Sequence, residues 1–234
     1  MKPDHLTWLK YIELGIGRRL TSLGHRWGVN WLIYNPVQFR YYHQLAMRNA
    51  PGVINTLIQA FPTALRYADI GAGGGAYAAE AQRRGREVLA FEHSPIGRLF
   101  ARMQGVDSRR IDFGSQQHPS SFASLRFDLA YCLEVAEHLP ATMGDELVRV
   151  TARMAPVVVF TAAAPGQGGT GHVNEQPKEY WIERFRRHRM RFDNELTRRV
   201  SQGFDSGIDD ARWLGTNVLV FLNDCDHPRS IATR

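Results

Sequence analysis

The residues best suited to chemistry fall in order along the middle of the chain. Asp69 sits in the short apolar run Tyr67-Ala68-Asp69-Ile70, which breaks into Gly71-Ala72-Gly73-Gly74-Gly75 and resumes as Ala76-Tyr77-Ala78-Ala79-Glu80. Residues without a Cβ let a backbone turn sharply and approach a ligand closely. The amides opening the next helix are then left to meet an anionic group such as a carboxylate. Asp69, just ahead of the glycines, would face a cationic ligand. Glu92 closes the run Glu87–Phe91, placed to accept from two ribose hydroxyls, and Asp112-Phe113 sets an acid beside an aromatic ring, suited to an adenine amino group. Further on come Glu134-Val135-Ala136-Glu137-His138-Leu139-Pro140 and, in a glycine-rich segment from Ala164 to Pro177, His172. An imidazole is the side chain that takes a proton near neutral pH.

The elements that must position these groups alternate in character. From Phe61 onward strand-like and helix-like segments follow one another, the signal of a parallel doubly wound sheet. The strands expected are Tyr67–Ile70, Glu87–Phe91, a third leading to Asp112, Phe127–Leu133, Val157–Thr161 and a final, antiparallel Gly215–Leu222. Val157-Val158-Val159-Phe160-Thr161 is almost continuously apolar, as a strand buried on both faces should be. Ligands of such sheets bind beyond the carboxyl ends of the strands, where the strand order reverses. Pro177 reads as the first residue of a helix that buries Trp181, Ile182 and Phe185 and turns Arg184, Arg186, Arg187 and Arg189 outward or sideways. Before Gln59 the chain is rich in aromatics (Trp8, Tyr11, Trp27, Trp31, Tyr34, Phe39, Tyr41, Tyr42), and it reads as three or four helices with a turn at Pro51-Gly52.

Gly71-x-Gly73-x-x-Ala76 also satisfies a loose dinucleotide fingerprint, with Glu92 at about the spacing of its ribose-binding acid. Asp69 argues against a nicotinamide cofactor, because a dinucleotide strand usually carries an apolar residue there. The segment Ala68–Gly75, the Glu92 and Asp112-Phe113 positions and Leu133–Pro140 together resemble the class I S-adenosylmethionine-dependent methyltransferases, in type and in order, over about Phe61 to Phe221. The resemblance implies an α/β fold, a doubly wound, mostly parallel seven-stranded Rossmann-like sheet with an N-terminal helical layer. It divides the chain into a helical cap or lid over 1–60, with Tyr34, Tyr41, Tyr42 and His43 as lid candidates, and a cofactor domain over 61–234. It implies S-adenosylmethionine as cofactor and S-adenosylhomocysteine as product. The site residues implied are Asp69 at the methionine ammonium, Gly71, Gly73 and Gly74 against the methionine moiety, Glu92 at the ribose, Asp112 and Phe113 at the adenine, and Glu134 beside them.

His138 and His172 are the candidates for a catalytic base, and the acceptor expected is a hydroxyl of a small molecule or glycan. Two other functions share the same residues. Glu134-x-x-Glu137-His138 with His172 resembles the divalent-metal arrangement of small-RNA 2′-O-methyltransferases; since only one histidine follows the fifth strand where that family supplies a pair, no metal is assigned. A non-catalytic protein that binds the cofactor is the other. The formal net charge of +6 and pI near 9.6 suit anionic partners. The arginines at 184–191 are nevertheless interleaved with Glu183 and Asp193 as on a solvated helix face, and no nucleic-acid-binding module is evident, so a nucleic-acid acceptor is not favoured. A hydrophobic content of 44% over 234 residues supports a core. Cys132 and Cys225 are too few for a disulfide framework, no signal peptide is evident, and no apolar run reaches the ~20 residues of a spanning helix. A cytoplasmic setting follows as the expectation; the oligomeric state is left open.

Overall fold

The computed structural model describes residues 36–115 and 125–224, with short stretches at 15–17, 19–20 and 23–24. Trp8, Tyr11, Trp27, Trp31, Tyr34 and Cys225 lie outside the described residues. Chain order runs α1 (Pro36–Ala60), β1 (Arg66–Ile70), α2 (Ala76–Arg83), β2 (Glu87–Phe91), α3 (Pro95–Met103) and β3 (Ser108–Arg109). Then come β4 (Leu129–Leu133), a 3₁₀ turn (Ala136–His138), α4 (Ala141–Met154), β5 (Val157–Thr161), α5 (Lys178–Arg187), β6 (Met190–Phe192), α6 (Asn194–Gly207), α7 (Trp213–Asn217) and β7 (Leu219–Asn223).

The seven strands form one sheet in the order β3-β2-β1-β4-β5-β7-β6. β1 through β5 pair in parallel, and β7 is antiparallel to both β5 and β6. The order reverses between β1 and β4, so the loops after those two strands diverge there and leave a crevice. Strand parity distributes the core over both faces. Tyr67, Tyr131, Val157 and Val159 pack with Ile54 and Leu57 of α1 and with Phe204 of α6. On the other face Ala68, Ile70, Cys132, Val158 and Phe160 pack with Leu147 of α4 and with Trp181 and Phe185 of α5. Asp69 shares its parity with Tyr67, and so faces the α1 side.

Three expectations are corrected. The turn expected at Pro51-Gly52 is not one, for both residues lie inside the helix Pro36–Ala60; most of the segment in which the other helices before β1 are expected lies outside the described residues. Gly52 is there for contact: a Cβ on it would stand 1.8 Å from the Gly207 carbonyl oxygen, so α1 and α6 meet backbone to backbone. A Gly52→Ala variant is expected to force the two helices apart and lose about 1–3 kcal/mol of stability, measured by denaturant unfolding. Second, Gly215–Asn217 belong to α7, and the last strand begins at Leu219. The stretch reads as a strand because Val218 to Leu222 is continuously apolar and nothing local marks where the helix stops. Third, Pro177 caps α5 from outside, and the helix starts at Lys178. Of its apolar residues Trp181 and Phe185 are buried against Phe160, while Ile182 is half-buried. Arg184 lies sideways along the helix, stacked on the Tyr180 ring and paired with Asp145 at 2.5 Å.

Candidate active site

A cavity of about 640 Å³ opens at the switch point, beyond the carboxyl ends of β1, β2, β4 and β5. Its floor is the glycine loop after β1. Glu92 and Phe113, the turn after β4, the loop after β5, and Tyr41, Tyr42 and His43 of α1 line the rest of it.

The loop is shaped by its glycines. Gly71 has φ +74 and Gly73 φ +52, both in the left-handed region that costs an L side chain about 1–2 kcal/mol. At Gly71 a Cβ would also lie 2.4 Å from the Val135 side chain on the neighbouring loop. We expect Gly71→Ala to lose cofactor affinity and to lower the unfolding midpoint, checked by calorimetric titration and thermal denaturation. The loop is tied to the second strand, for Gly71 and Ala72 donate to the Phe91 carbonyl at 2.8 and 3.1 Å. Gly73 donates to Glu92 Oε2 at 2.8 Å, and Ser94 donates to Oε1 at 2.6 Å. Glu92 is thus held in one rotamer by two amides, with a further lone pair on each oxygen for a pair of hydroxyls.

Asp69 is buried beneath the loop, and its Oδ2 has no partner at hydrogen-bonding geometry. Burial pushes its carboxyl up to about 8; the Glu92 charge adds to the rise, and the Tyr131 hydroxyl and Ala78 amide oppose it. A buried acid of this kind calls for a cation. The residues therefore fit S-adenosylmethionine: an acid awaiting an ammonium, a close-approach loop and a pre-oriented carboxylate for ribose hydroxyls. His43 of α1 packs on Gly74, and Gln104 Nε2 bridges the His43 ring and the Gly74 carbonyl. Burial holds the His43 imidazole below its ordinary value, so it meets the loop uncharged.

The other end of the cavity holds the second set of groups. Glu134 ends β4 with φ +56, an uncommon conformation for a residue with a side chain, of the sort that collects at ligand sites. Its Oε1 accepts from Asn217 and its Oε2 from Gln167, at 3.2 and 3.3 Å. Glu137 in the 3₁₀ turn is fully buried, and neither carboxylate oxygen has a partner at hydrogen-bonding geometry. Burial, with the Glu134 charge beside it, pushes its carboxyl well above the ordinary range. The Glu137 carbonyl accepts from Val173 and Asn174, which pins the loop after β5 to this turn. The two imidazoles meet edge to face, 4.9 Å between ring centres. His138 Nδ1 lies 3.2 Å from the Gly171 carbonyl, and His172 Nδ1 lies 2.8 Å from Glu175 Oε1. Both partners only accept, so each Nδ1 carries the proton and each Nε2 carries the lone pair. Glu175 also accepts from the Gly166 and Gly168 amides, and its carboxyl is held below the ordinary value chiefly by His172.

Of the residues named from sequence, Asp69, Gly71, Gly73, Gly74, Glu92, Phe113, Glu134, His138 and His172 all line the one cavity. Asp112 stands apart: its carboxylate pairs with Arg110 at 2.9 Å and accepts from the Gly114 amide. Glu175, Gln167, Asn217 and the lining residues Trp213 and Leu214 escaped the sequence reading. The spacing His172-x-x-Glu175 could have revealed the first. Gln167 and Asn217 are separated by 50 positions along the chain and meet only through the fold.

The comparisons follow this geometry. The profile of the family described as "Methyltransferase domain" matches residues 41–202. No curated protein matches the chain. An O-methyltransferase family protein from Burkholderia thailandensis superposes with a TM-score of 0.63 at 13% identity, covering 94% of this chain and 69% of that one. A TehB-like S-adenosylmethionine-dependent methyltransferase from Corynebacterium glutamicum gives 0.58 at 19% identity, over 81% and 100%. The sugar N-methyltransferase KedS8 from Streptoalloteichus sp ATCC 53650 gives 0.56 at 16%, over 75% and 87%. The matched segment reaches from the cavity-facing part of α1 through most of α6, and a chain that carries it on this sheet belongs to that family: it is a class I S-adenosylmethionine-dependent methyltransferase.

Proposed function

We propose that this methyltransferase methylates a hydroxyl of a small molecule or glycan. The observation that carries the reading is the pair of Nε2 lone pairs on His138 and His172, fixed by Gly171 and Glu175, in the cavity that also holds Asp69. When bound, S-adenosylmethionine supplies an electrophilic methyl group. The chain's own residues must aim the acceptor, exclude water and remove the hydroxyl proton. His172 is the better base, because a carboxylate behind its Nδ1–H stabilises the imidazolium that proton uptake creates. His138 orients the acceptor beside it. Asp69 holds the methionine ammonium, Gly71, Gly73 and Gly74 the methionine backbone, Glu92 the ribose, Phe113 the adenine, and Glu134 frames the sulfur end.

We read residues 1–60 as cap and lid over the 61–234 cofactor domain, a division supported by Tyr41, Tyr42 and His43 lining the cavity. A sugar-type acceptor accords with one structural neighbour, described as a sugar N-methyltransferase, and transfer to oxygen with another, described as an O-methyltransferase family protein. The arginines of α5 do not favour a polynucleotide, since Arg186 and Arg187 both pair with Glu183 on their own helix. Among the described residues no helix is long and apolar enough to cross a membrane. A cytoplasmic setting accords with the two cysteines of the chain.

The test is a panel of matched acceptors, glycosides and phenols bearing either hydroxyl or amino groups, incubated with labelled cofactor and read by mass spectrometry. Methyl ethers as products support the reading, and methylation confined to amines overturns it. Gly169 supplies a finer check, since a Cβ there would lie 2.3 Å from His172 Nε2. Gly169→Ala is expected to displace the ring and lower turnover about 10-fold or more, with S-adenosylhomocysteine affinity unchanged by titration.

A further inference from the structure

We propose that the acceptor is built on a planar aromatic ring without an acidic group, and that Tyr41, Tyr42 and Trp213 select it. The reacting atom is that of the hydroxyl reading above, on which this rests, so the acceptor is a simple phenol in chemical class. The ring itself follows from separate features of the site.

The first is where the chain leaves its aromatics. Tyr67, Tyr131, Phe160 and Trp181 are buried, whereas Tyr41, Tyr42 and Trp213 line the cavity and stay 39%, 41% and 38% exposed. One exposed aromatic means little, but three in one concave site make a surface that a bound ring would cover. Tyr41 and Tyr42 already meet edge to face, with 5.5 Å between ring centres.

The second is how the fold brings them together. α1 and α6 run antiparallel through a series of close contacts. A Cβ on Gly203 would meet the Thr56 side chain, one on Gly52 would meet the Gly207 carbonyl, and Arg48 pairs with Asp210 at 2.5 Å. Each step advances by about one helical turn. The next step brings Tyr41 and Leu45 to the segment of Ala211, Trp213 and Leu214, and all of these line the cavity. Trp213 and Asn217 are four residues apart on α7 and so share one side of it. Asn217 donates to Glu134 Oε1 and Gln167 Oε1, which sets Trp213 one turn from the loop that carries His172.

The third is polarity. The described lining residues include four carboxylates, Asp69, Glu92, Glu134 and Glu137, and no lysine or arginine, in a chain with 29 of those cations. An acidic acceptor would lose its water beside these carboxylates and find no cation in return. A sugar is disfavoured as well. Leu45, Ala46, Ala211 and Leu214 flank the three aromatics in the lining, and they offer hydroxyls no side-chain partner. The Gln167 amide is already spent on Glu134 and Asn217. Hydroxyls buried without partners cost affinity, whereas paired aromatic rings add to it beyond the area they bury.

The experiment is calorimetric titration of the protein saturated with S-adenosylhomocysteine, with β-naphthol, β-decalol, hydroxynaphthoate and methyl glucoside as probes. Decalol matches naphthol in size without a π face, and the naphthoate adds a negative charge. Naphthol is expected to bind about 3–10-fold more tightly than decalol, with the naphthoate and the glucoside weaker still. Trp213→Leu and Tyr41→Leu should each erase the preference for the flat ring, while unchanged S-adenosylhomocysteine affinity reports an intact fold. Absence of naphthol binding overturns the proposal, as does equal binding of decalol, naphthoate or glucoside, or a preference unaltered in either variant. Turnover separates the two readings. Methylation of glycoside hydroxyls but not of phenols would keep the hydroxyl and remove the ring, and methylation of aromatic amines alone would keep the ring and remove the hydroxyl.

Discussion

Asp69→Asn is expected to lower S-adenosylhomocysteine affinity by about 10–100-fold and at the same time to make the free protein more stable. The affinity loss is that of one charge-assisted contact in a buried place, on the order of 1.5–3 kcal/mol. The gain in stability has the same origin. The native carboxyl titrates near 8 where an ordinary aspartate titrates near 3.8, because burial strips it of water. Between those values the folded chain holds a proton that the unfolded chain has released, so stability falls as pH rises through that window. At about 1.4 kcal/mol per unit, the cost reaches on the order of 4 kcal/mol by pH 7. Asparagine carries no such cost. The two proteins should therefore unfold alike below pH 4 and diverge above it, with the variant melting higher at pH 7. The same linkage governs binding: a cationic ligand needs the ionised acid, so wild-type affinity should fall by up to tenfold per unit as pH drops below about 8, while the variant stays flat. Calorimetric titration between pH 6 and 9, alongside thermal melts, checks both halves. Equal melting temperatures at pH 7 would show that Asp69 keeps an ordinary acidity in the folded chain.

His172→Asn is expected to reduce methyl transfer by about 10²–10⁴-fold with little change in S-adenosylhomocysteine affinity. Asparagine can keep the contact to Glu175 and so preserve the loop, but it has no lone-pair nitrogen to present to a hydroxyl. Glu175→Gln should fall between, because a glutamine can still face Nδ1 yet cannot stabilise an imidazolium or bind the Gly166 and Gly168 amides with a full charge. Single-turnover rates on a hydroxyl acceptor check the order. A His172→Asn enzyme of undiminished rate would mean that positioning alone suffices and that His172 is not the base.

The cofactor half of the site was legible because it is local. Asp69, the glycines and the start of α2 are contiguous, Glu92 directly follows the apolar run of β2, and Phe113 lies shortly after β3. Backbone constraints act residue by residue there: a left-handed φ at Gly71 and Gly73 demands glycine wherever the rest of the protein lies. The strand-helix alternation likewise announced a parallel sheet and its switch point. Pro51-Gly52 misled for the opposite reason. A proline and glycine ordinarily mark a turn, but here the glycine answers to Gly207 on another helix, a contact invisible along the chain.

The acceptor half was written in long-range contacts. His138 and His172 could be named from their places after β4 and β5, yet nothing local says that they meet edge to face or that their protons are committed to Gly171 and Glu175. Nor does the sequence show that Glu137 is buried without a partner, or that Gln167 and Asn217 close on Glu134. The chain by itself determined its sheet, its cofactor and the acids that await it, since patterning and backbone conformation are properties of adjacent residues. Tertiary structure alone decided which imidazole nitrogens are basic and where Glu137 and Asp69 lose their water, because tautomer, desolvation and ligand geometry depend on groups that only folding brings within hydrogen-bonding distance.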